Sequence, residues 1–360
     1  MFNFPLKPYQ EKFATAEGLE DFLGAIRMSE EIIEVFSGQK PMVCSPQSLG
    51  YLLSNKDELY HEFSIRKRSG GRRIINAPNK QLAFVQGRFK AILTLFYNSP
   101  YNWFKGKDWE PIFSNLFQPT ENTHGFIHNR SIATNANLHV GKAYVLNLDL
   151  KDFFPSVGVG KIIQSLQTEP FNFNYFSAQV FANLCTLDGA LPQGSPASPI
   201  LSNIVSRRLD YNINLICKEL PSASYSRYVD DITISCDYNL FDKEFLFKLE
   251  QLVTNEGFHL NVKKTRMQSD TQRQEVTGLI VNEKLNVPRK KIKILRSMLH
   301  NWKTMGYDEA QSKHRNLQKS KSELSKVVWG HLCFVKMVRG ENDIIYRKYL
   351  LEYNKLRNVQ

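Results

Sequence analysis

Tyr228-Val229-Asp230-Asp231 decides how this chain is read: two adjacent carboxylates between Ser224-Tyr225-Ser226-Arg227 and the β-favouring run Ile232-Thr233-Ile234-Ser235. Two strands with acids at their junction is the simplest arrangement for such flanks. Neighbouring side chains on a strand point to opposite faces, so Asp230 and Asp231 approach one point only if a tight turn lies there. Taken alone, the tetrapeptide is equally well a solvated Asp-Asp turn. The balance is tipped by Asp149, within Tyr144-Val145-Leu146-Asn147-Leu148-Asp149-Leu150. Alternation puts Tyr144, Leu146, Leu148 and Leu150 on an apolar face and Val145, Asn147 and Asp149 on the other, so the acid is expected to point away from the core. Three carboxylates drawn into one cleft repel one another unless cations sit between them. Hard oxygen donors suit Mg²⁺, and two such ions about 3.5–4 Å apart can hold the attacking and leaving oxygens of an in-line phosphoryl displacement. Asp149, Asp230 and Asp231 therefore read as the catalytic acids of a two-metal nucleotidyl-transfer centre.

The rest of the chain suits such a centre. With 360 residues, 42% of them hydrophobic, and only 15 Pro and 19 Gly, the chain can bury a sizeable core without long linkers. Lys and Arg outnumber Asp and Glu by 47 to 35, a net charge of +12 that favours a polyanionic partner. No stretch approaches the roughly 18 continuous apolar residues of a membrane span, and no secretory signal opens the sequence, so a cytoplasmic protein that does not enter membranes is expected. The five cysteines, Cys44, Cys185, Cys217, Cys236 and Cys333, are widely spaced without a Cys-x-x-Cys pair and are expected to be free thiols.

Asp149-Leu150-Lys151-Asp152-Phe153-Phe154, then Leu191-Pro192-Gln193-Gly194-Ser195-Pro196, then Tyr228-Val229-Asp230-Asp231 resemble, in that order, the three central palm motifs of reverse transcriptases. The resemblance spans residues 60 to 340 and implies an α+β right-hand polymerase. Residues 1–143 would form the N-terminal region and fingers, 144–285 the palm, with its antiparallel sheet and helices and with 155–190 partly returning to the fingers, and 286–360 a helical thumb. It also implies two Mg²⁺ ions, with Leu150 beside the three acids among the ligands, and deoxynucleoside triphosphate substrates. In the nucleotide pocket Phe154 would lie beneath the incoming sugar, where a bulky ring clashes with a 2′-hydroxyl. Asp152 and Phe153 would line the same pocket through backbone or side chain, Gln193 would hydrogen-bond a nucleotide or template base, and Lys264, in Asn261-Val262-Lys263-Lys264-Thr265, would protonate the leaving pyrophosphate.

Ile65-Arg66-Lys67-Arg68-Ser69-Gly70-Gly71-Arg72-Arg73-Ile74-Ile75 joins two β-prone runs through a basic Gly-Gly tip, which is either a solvated loop or a hairpin closing over a triphosphate. It resembles the fingers segment of bacterial reverse transcriptases, whose nucleotide-contacting lysine and arginine match Lys67 and Arg73. From Leu82 to Tyr97, Leu82, Val85, Phe89, Ile92 and Phe96 recur at helical spacing and predict a core-facing helix. A second helix is expected to open at Pro155 and Ser156, and a third to carry Leu201, Ile204, Val205, Leu209 and Ile213 as one buried stripe.

Asn135-Ala136-Asn137-Leu138-His139 and Val276-Thr277-Gly278 resemble motifs associated with retron reverse transcriptases. Asn135, His139, Thr277 and Gly278 would then serve recognition of a folded RNA, although Asn135 and His139 are chemically as well suited to bracing the strand of Asp149. In the helix after Pro288, Ile292, Leu295, Leu299 and Trp302 form an apolar stripe, while Lys290, Lys291, Lys293 and Arg296 offer cations to phosphates. Residues 329–340 resemble the closing thumb helix of the same enzymes. Val229 stands where many retron enzymes have alanine. By this resemblance the chain would copy part of a cognate non-coding RNA (msr–msd) into DNA from a 2′-hydroxyl primer, and the RNA–DNA product would act with an effector protein in anti-phage defence. The alternatives are another defence-associated or group II intron-like reverse transcriptase, or a silent RNA-binding scaffold, which would gain nothing from clustered carboxylates.

Overall fold

The computed structural model describes residues 7–37, 44–66, 70–97, 122–318 and 322–359. Helices α1 (Lys7–Thr15), α2 (Leu19–Ser37) and α3 (Pro46–Asn55) lead into an antiparallel hairpin, β1 (Tyr60–Arg66) and β2 (Arg72–Pro78), and then α4 (Lys80–Tyr97). α3 starts where the Ser45 hydroxyl accepts from the Ser48 N–H and Pro46 occupies the first turn, where its missing N–H removes no helical bond. Leu82, Val85, Phe89, Ile92 and Phe96 are all buried, as their spacing predicts. They join an aromatic cluster in which Phe89 lies 4.4 Å from Phe181 and Phe13 4.5 Å from Phe173, ring centre to ring centre. Such pairs add about 0.5–1.5 kcal/mol each beyond the area they bury. Phe13 of α1 and Phe22 of α2 thus pack against Phe96 and Phe89 of α4.

Next come α5 (Ile132–Asn137), β3 (Tyr144–Asp149), α6 (Val159–Leu166), α7 (Tyr175–Cys185), α8 (Ser198–Val205), α9 (Arg207–Lys218), β4 (Ser224–Tyr228), β5 (Asp231–Cys236), α10 (Lys243–Asn255) and β6 (Arg266–Ser269). Two helix expectations need correction. Residues 151–156 form turns, with Asp152 in the left-handed region (φ 46°), and α6 opens only at Val159. The single stripe from Leu201 to Ile213 is split into α8 and α9 because Ser206, at ψ 0°, departs from the helical value.

The strands pair antiparallel in the order β4-β5-β3-β6, with Asp149 opposite Asp231. Leu146, Leu148, Ile232 and Ile234 form one face of the sheet and enter the main core with α4, α6, α7 and α8. Asp149 lies on the opposite face, away from that core as expected, but it is not open to solvent. Val145 belongs to a second core with Ala133 and Ala136 of α5, and Asp149 itself is only 6% exposed. Along that face the register sets Asp149 beside Asp231, Asn147 beside Thr233 and Val145 beside Ser235. It therefore grades from acids, through a polar pair, to an apolar end roofed by α5.

A small hairpin, β7 (Glu275–Val276) and β8 (Leu279–Ile280), leads to α11 (Arg289–Met305), α12 (Tyr307–Gln318), α13 (Leu324–Arg339) and α14 (Ile344–Val359). The second core runs without a break from Val145, Val276, Leu279 and Val281 into Leu295, Leu299 and Trp302 of α11 and Val328 and Leu332 of α13. The C-terminal helices are joined to the back of the sheet through this hairpin. No helix among the described residues is long and apolar enough to cross a membrane.

Candidate active site

The acids stand on a two-residue turn. Tyr228 pairs with Asp231, leaving Val229 and Asp230 as the loop, and Val229 takes φ 63°. A β-branched residue in the left-handed region is strained by about 1–3 kcal/mol, so the surroundings must hold it. Arg227 does so from beneath. Its guanidinium, fully buried, donates to the Val229 carbonyl at 2.9 Å and to both Asp210 oxygens of α9 at 2.6 and 2.7 Å. Asp210 also accepts from the Tyr225 hydroxyl at 2.6 Å and the Thr123 hydroxyl at 2.9 Å, so the buried pair is saturated with hydrogen bonds. From above, Gly125 sits so close that a Cβ there would lie 2.6 Å from the Val229 nitrogen.

Asp149 is gripped by the segment after α10. Lys264 Nζ lies 2.7 Å from one carboxylate oxygen and Asn261 Nδ2 3.2 Å from the other, while the Asn261 N–H donates to the Asp149 carbonyl at 2.8 Å. The Leu150 N–H donates to the Asp230 carbonyl at 2.9 Å, tying β3 to the turn. Desolvation in the cleft, then the negative charges of Asp230 and Asp149, push Asp231 up to about 6 despite its accessible side chain. Asp230 is raised as well, chiefly by desolvation. The hydrogen bond to Asp149 raises the pKa of Lys264, which is therefore charged at neutral pH.

Two acids pushed toward neutrality beside a third mark a place short of positive charge. Among the described residues no three His, Cys, Asp or Glu side chains are gathered closely enough to hold a metal ion as they stand, and both oxygens of Asp149 are engaged by Lys264 and Asn261. The donor set nonetheless fits Mg²⁺ in kind: three carboxylates, with Leu150 able to add only its main-chain carbonyl.

The nucleotide-pocket residues divide. Phe153 is buried against Phe258, with ring centres 5.7 Å apart, so its side chain belongs to the core and only its backbone can face a ligand. Phe154 is half-buried, Asp152 exposed, and Gln193 half-buried with no side-chain hydrogen bond to a described residue. The Gln193 carbonyl accepts from the Asn76 N–H at 2.8 Å, and a Cβ on Gly194 would lie 2.5 Å from the Asn76 oxygen, so this loop docks directly on β2. Only glycine permits that approach. Arg73, exposed on β2, is among the charges that partly offset the rise at Asp230. Lys67 lies outside the described residues.

Of the four motif residues assigned to RNA, the side chains of His139 and Thr277 are engaged within the protein. His139, fully buried, bonds to the Ser235 and Ser226 hydroxyls, both at 2.7 Å, and so clamps β5 to β4 behind the acids. Burial first, then His124 and Lys142, push it down to about 3. Asn135 is 1% exposed, and neither of its amide atoms has a partner. Of the two alternatives for this motif, the geometry favours the brace for His139, whereas the Asn135 amide holds nothing. Thr277 (φ 47°) and Gly278 (φ 80°) form the two-residue turn between β7 and β8, and the Thr277 hydroxyl donates to the Ile132 carbonyl of α5 at 3.2 Å. The second motif thus reaches the start of the helix that carries Asn135. Lys290, Lys293 and Arg296 are exposed on α11, whereas Lys291 lies 3.8 Å above the Phe334 ring of α13.

Sequence reading missed Arg227, Asp210 and Asn261. A signal for the first was present, since alternation from Tyr225 places Arg227 on the core face, where a charge requires a buried partner.

Residues 104–296 match the family described as reverse transcriptase (RNA-dependent DNA polymerase). The chain is 33% identical over 300 residues to the retron Mx65 reverse transcriptase of Myxococcus xanthus, covering 78% of this chain and 62% of that one. It is 29% identical over 263 residues to the retron Ec86 reverse transcriptase of Escherichia coli, covering 71% and 74%. The match to the retron Mx162 reverse transcriptase of Myxococcus xanthus, 31% identical over 280 residues, covers 68% of this chain and 53% of that one. The chain thus spans less than two thirds of the length of the two Myxococcus relatives. Among solved structures, telomerase from Candida albicans superposes with a TM-score of 0.45 and 10% identity, over 92% of this chain and 64% of that one.

Proposed function

This chain belongs to the reverse transcriptase family and is of the retron type, and we propose that it is the RNA-directed DNA polymerase of a retron. Its product is single-stranded DNA copied from part of a cognate structured RNA and primed by a 2′-hydroxyl of that RNA. The observation that carries this reading is the register that sets Asp149 directly opposite Asp231, with Asp230 in the adjoining turn. Asp149, Asp230, Asp231 and the Leu150 carbonyl would hold two Mg²⁺ ions, which supply Lewis-acid stabilisation of the attacking and leaving oxygens.

The chain's own residues do the rest. Arg73, with Lys67, meets the triphosphate; Gln193 orients the base; Phe154 lies under the sugar and excludes a 2′-hydroxyl. Lys264, held charged beside Asp149, carries the proton for the departing pyrophosphate. Lys290, Lys293 and Arg296 track phosphates from the thumb, residues 286–360, while residues 1–143 supply the N-terminal region and fingers and 144–285 the palm, with 155–190 partly in the fingers. The protein works in the cytoplasm, with its RNA–DNA product and an effector protein, in defence against phage.

The test is to purify the chain with the nucleic acid it carries. An RNA joined through a 2′-linkage to DNA, extended on adding deoxynucleotides and Mg²⁺, is the expected result. A chain that extends only annealed primers would keep the polymerase and remove the retron priming.

A further inference from the structure

Phe126 combines two features that rarely coincide in an aromatic residue: it is 52% exposed and its backbone is left-handed, with φ 61°. Burial does not compensate this strain, so what fixes it is the backbone just before it. The His124 N–H donates to the Arg227 carbonyl at 2.8 Å, and the Gly125 carbonyl accepts from Asn203 Nδ2 of α8 at 2.8 Å. Gly125 is pressed against Val229, its virtual Cβ 2.6 Å from the Val229 nitrogen and 2.7 Å from Cγ2. The segment is therefore bolted to the turn that carries Asp230, and Phe126 is the side chain it projects. Strain of this kind, held by its surroundings, is characteristic of functional positions.

The Phe126 ring meets Phe154. Their centres lie 6.5 Å apart with the planes at 48°, and on its other side Phe154 lies 5.7 Å from Phe153, a core ring. Phe154 is thus held between one ring anchored in the core and one anchored to the catalytic turn. We propose that Phe126 is a specificity-determining residue that positions the Phe154 ring against the sugar of the incoming deoxynucleotide. The proposal rests on the reading of this chain as a DNA polymerase with Phe154 beneath that sugar. Removing the outer ring frees Phe154 to rotate toward the space Phe126 vacates, and the 2′-hydroxyl clash relaxes. Nothing in this requires Phe126 to touch the reacting atoms.

Single-nucleotide incorporation on an RNA template, with deoxynucleotide and ribonucleotide compared, tests it. Phe126→Ala is expected to lower the deoxy-to-ribo ratio of kcat/KM about two- to tenfold, the kinetic equivalent of one aromatic pair. Phe126→Tyr, which keeps the ring, is expected to retain the ratio. In a Phe154→Ala background, Phe126→Ala is expected to change the ratio no further, since the two act as a unit. The ring is exposed, so thermal melting should be unaffected and confirms folding in each case. An unchanged ratio in Phe126→Ala, while Phe154→Ala shifts it, overturns the proposal and leaves the polymerase reading intact. Additive effects of the two substitutions overturn it as well. A wild-type chain that incorporates no nucleotide overturns the polymerase reading and this proposal with it.

Discussion

Two hairpins in this molecule carry charge near their tips and are held in opposite ways. The β1–β2 hairpin exposes Phe63, Ile65 and Ile74, and its described hydrogen-bonded anchors lie toward its base, where the Asn76 N–H reaches Gln193 and the Tyr60 hydroxyl accepts from Gln86 at 2.7 Å. The β4–β5 hairpin has a buried core face, a guanidinium beneath its turn and a histidine clamping its strands. The difference follows from what each carries. Cations that meet a triphosphate must follow it in and out, whereas acids that define a reaction centre gain from not moving.

The contrast is broken most severely at the fixed tip. Asp230→Asn or Asp231→Asn is expected to slow primer extension by about 10³-fold or more, because metal charge stabilisation is worth several kcal/mol, while RNA binding through the basic surfaces survives. Single-turnover extension beside filter binding measures both; extension at the wild-type rate in Mg²⁺ would remove these acids from the chemistry.

Beneath the tip, Arg227→Ala leaves Asp210 buried without its cation and is expected to cost about 3–5 kcal/mol in urea unfolding. Replacing both partners, Arg227→Met with Asp210→Leu, should recover much of that stability yet not the activity, since the Val229 carbonyl is still released. Recovery of both would reduce the pair to packing.

His139 sharpens the comparison through pH. Its pKa falls from an ordinary 6.5 to about 3 in the folded chain, so the unfolded state binds more protons between those values. The stability it contributes is complete above pH 6.5 and declines on acidification toward pH 3, at up to about 1.4 kcal/mol per pH unit. His139→Gln should flatten the melting-versus-pH curve over that window. The same variant should impair extension of an annealed primer and self-primed synthesis alike, as befits a clamp. Loss of self-priming alone would return His139 to RNA recognition.

The smallest effect belongs to the free hairpin. Arg73→Ala is expected to raise the KM for deoxynucleotide about tenfold, near the low end for a charge-assisted hydrogen bond, and to leave the melting temperature unchanged. A lower melting temperature would show that this hairpin is held more firmly than its exposure indicates.

By itself the sequence determined the elements with strong local signals. The period of Leu82 to Phe96, the strands around Tyr228-Val229-Asp230-Asp231 and the apolar stripe of α11 are all read from neighbours a few positions apart, and the structure carries each of them. Other features were decided only by tertiary structure, because they rest on pairings far apart in the chain. Alternation turns Asp149 away from the core but does not say that Lys264 and Asn261 close over it. Phe153 and Phe154 are indistinguishable as letters, and one enters the core only because Phe258 comes to meet it. As a letter, a histidine suits RNA recognition and sheet bracing alike; two hydroxyls 87 and 96 residues away favour the brace. Spacing along a chain reports the period of one element, whereas burial of a charge or a ring is a property of whatever the rest of the chain packs against it.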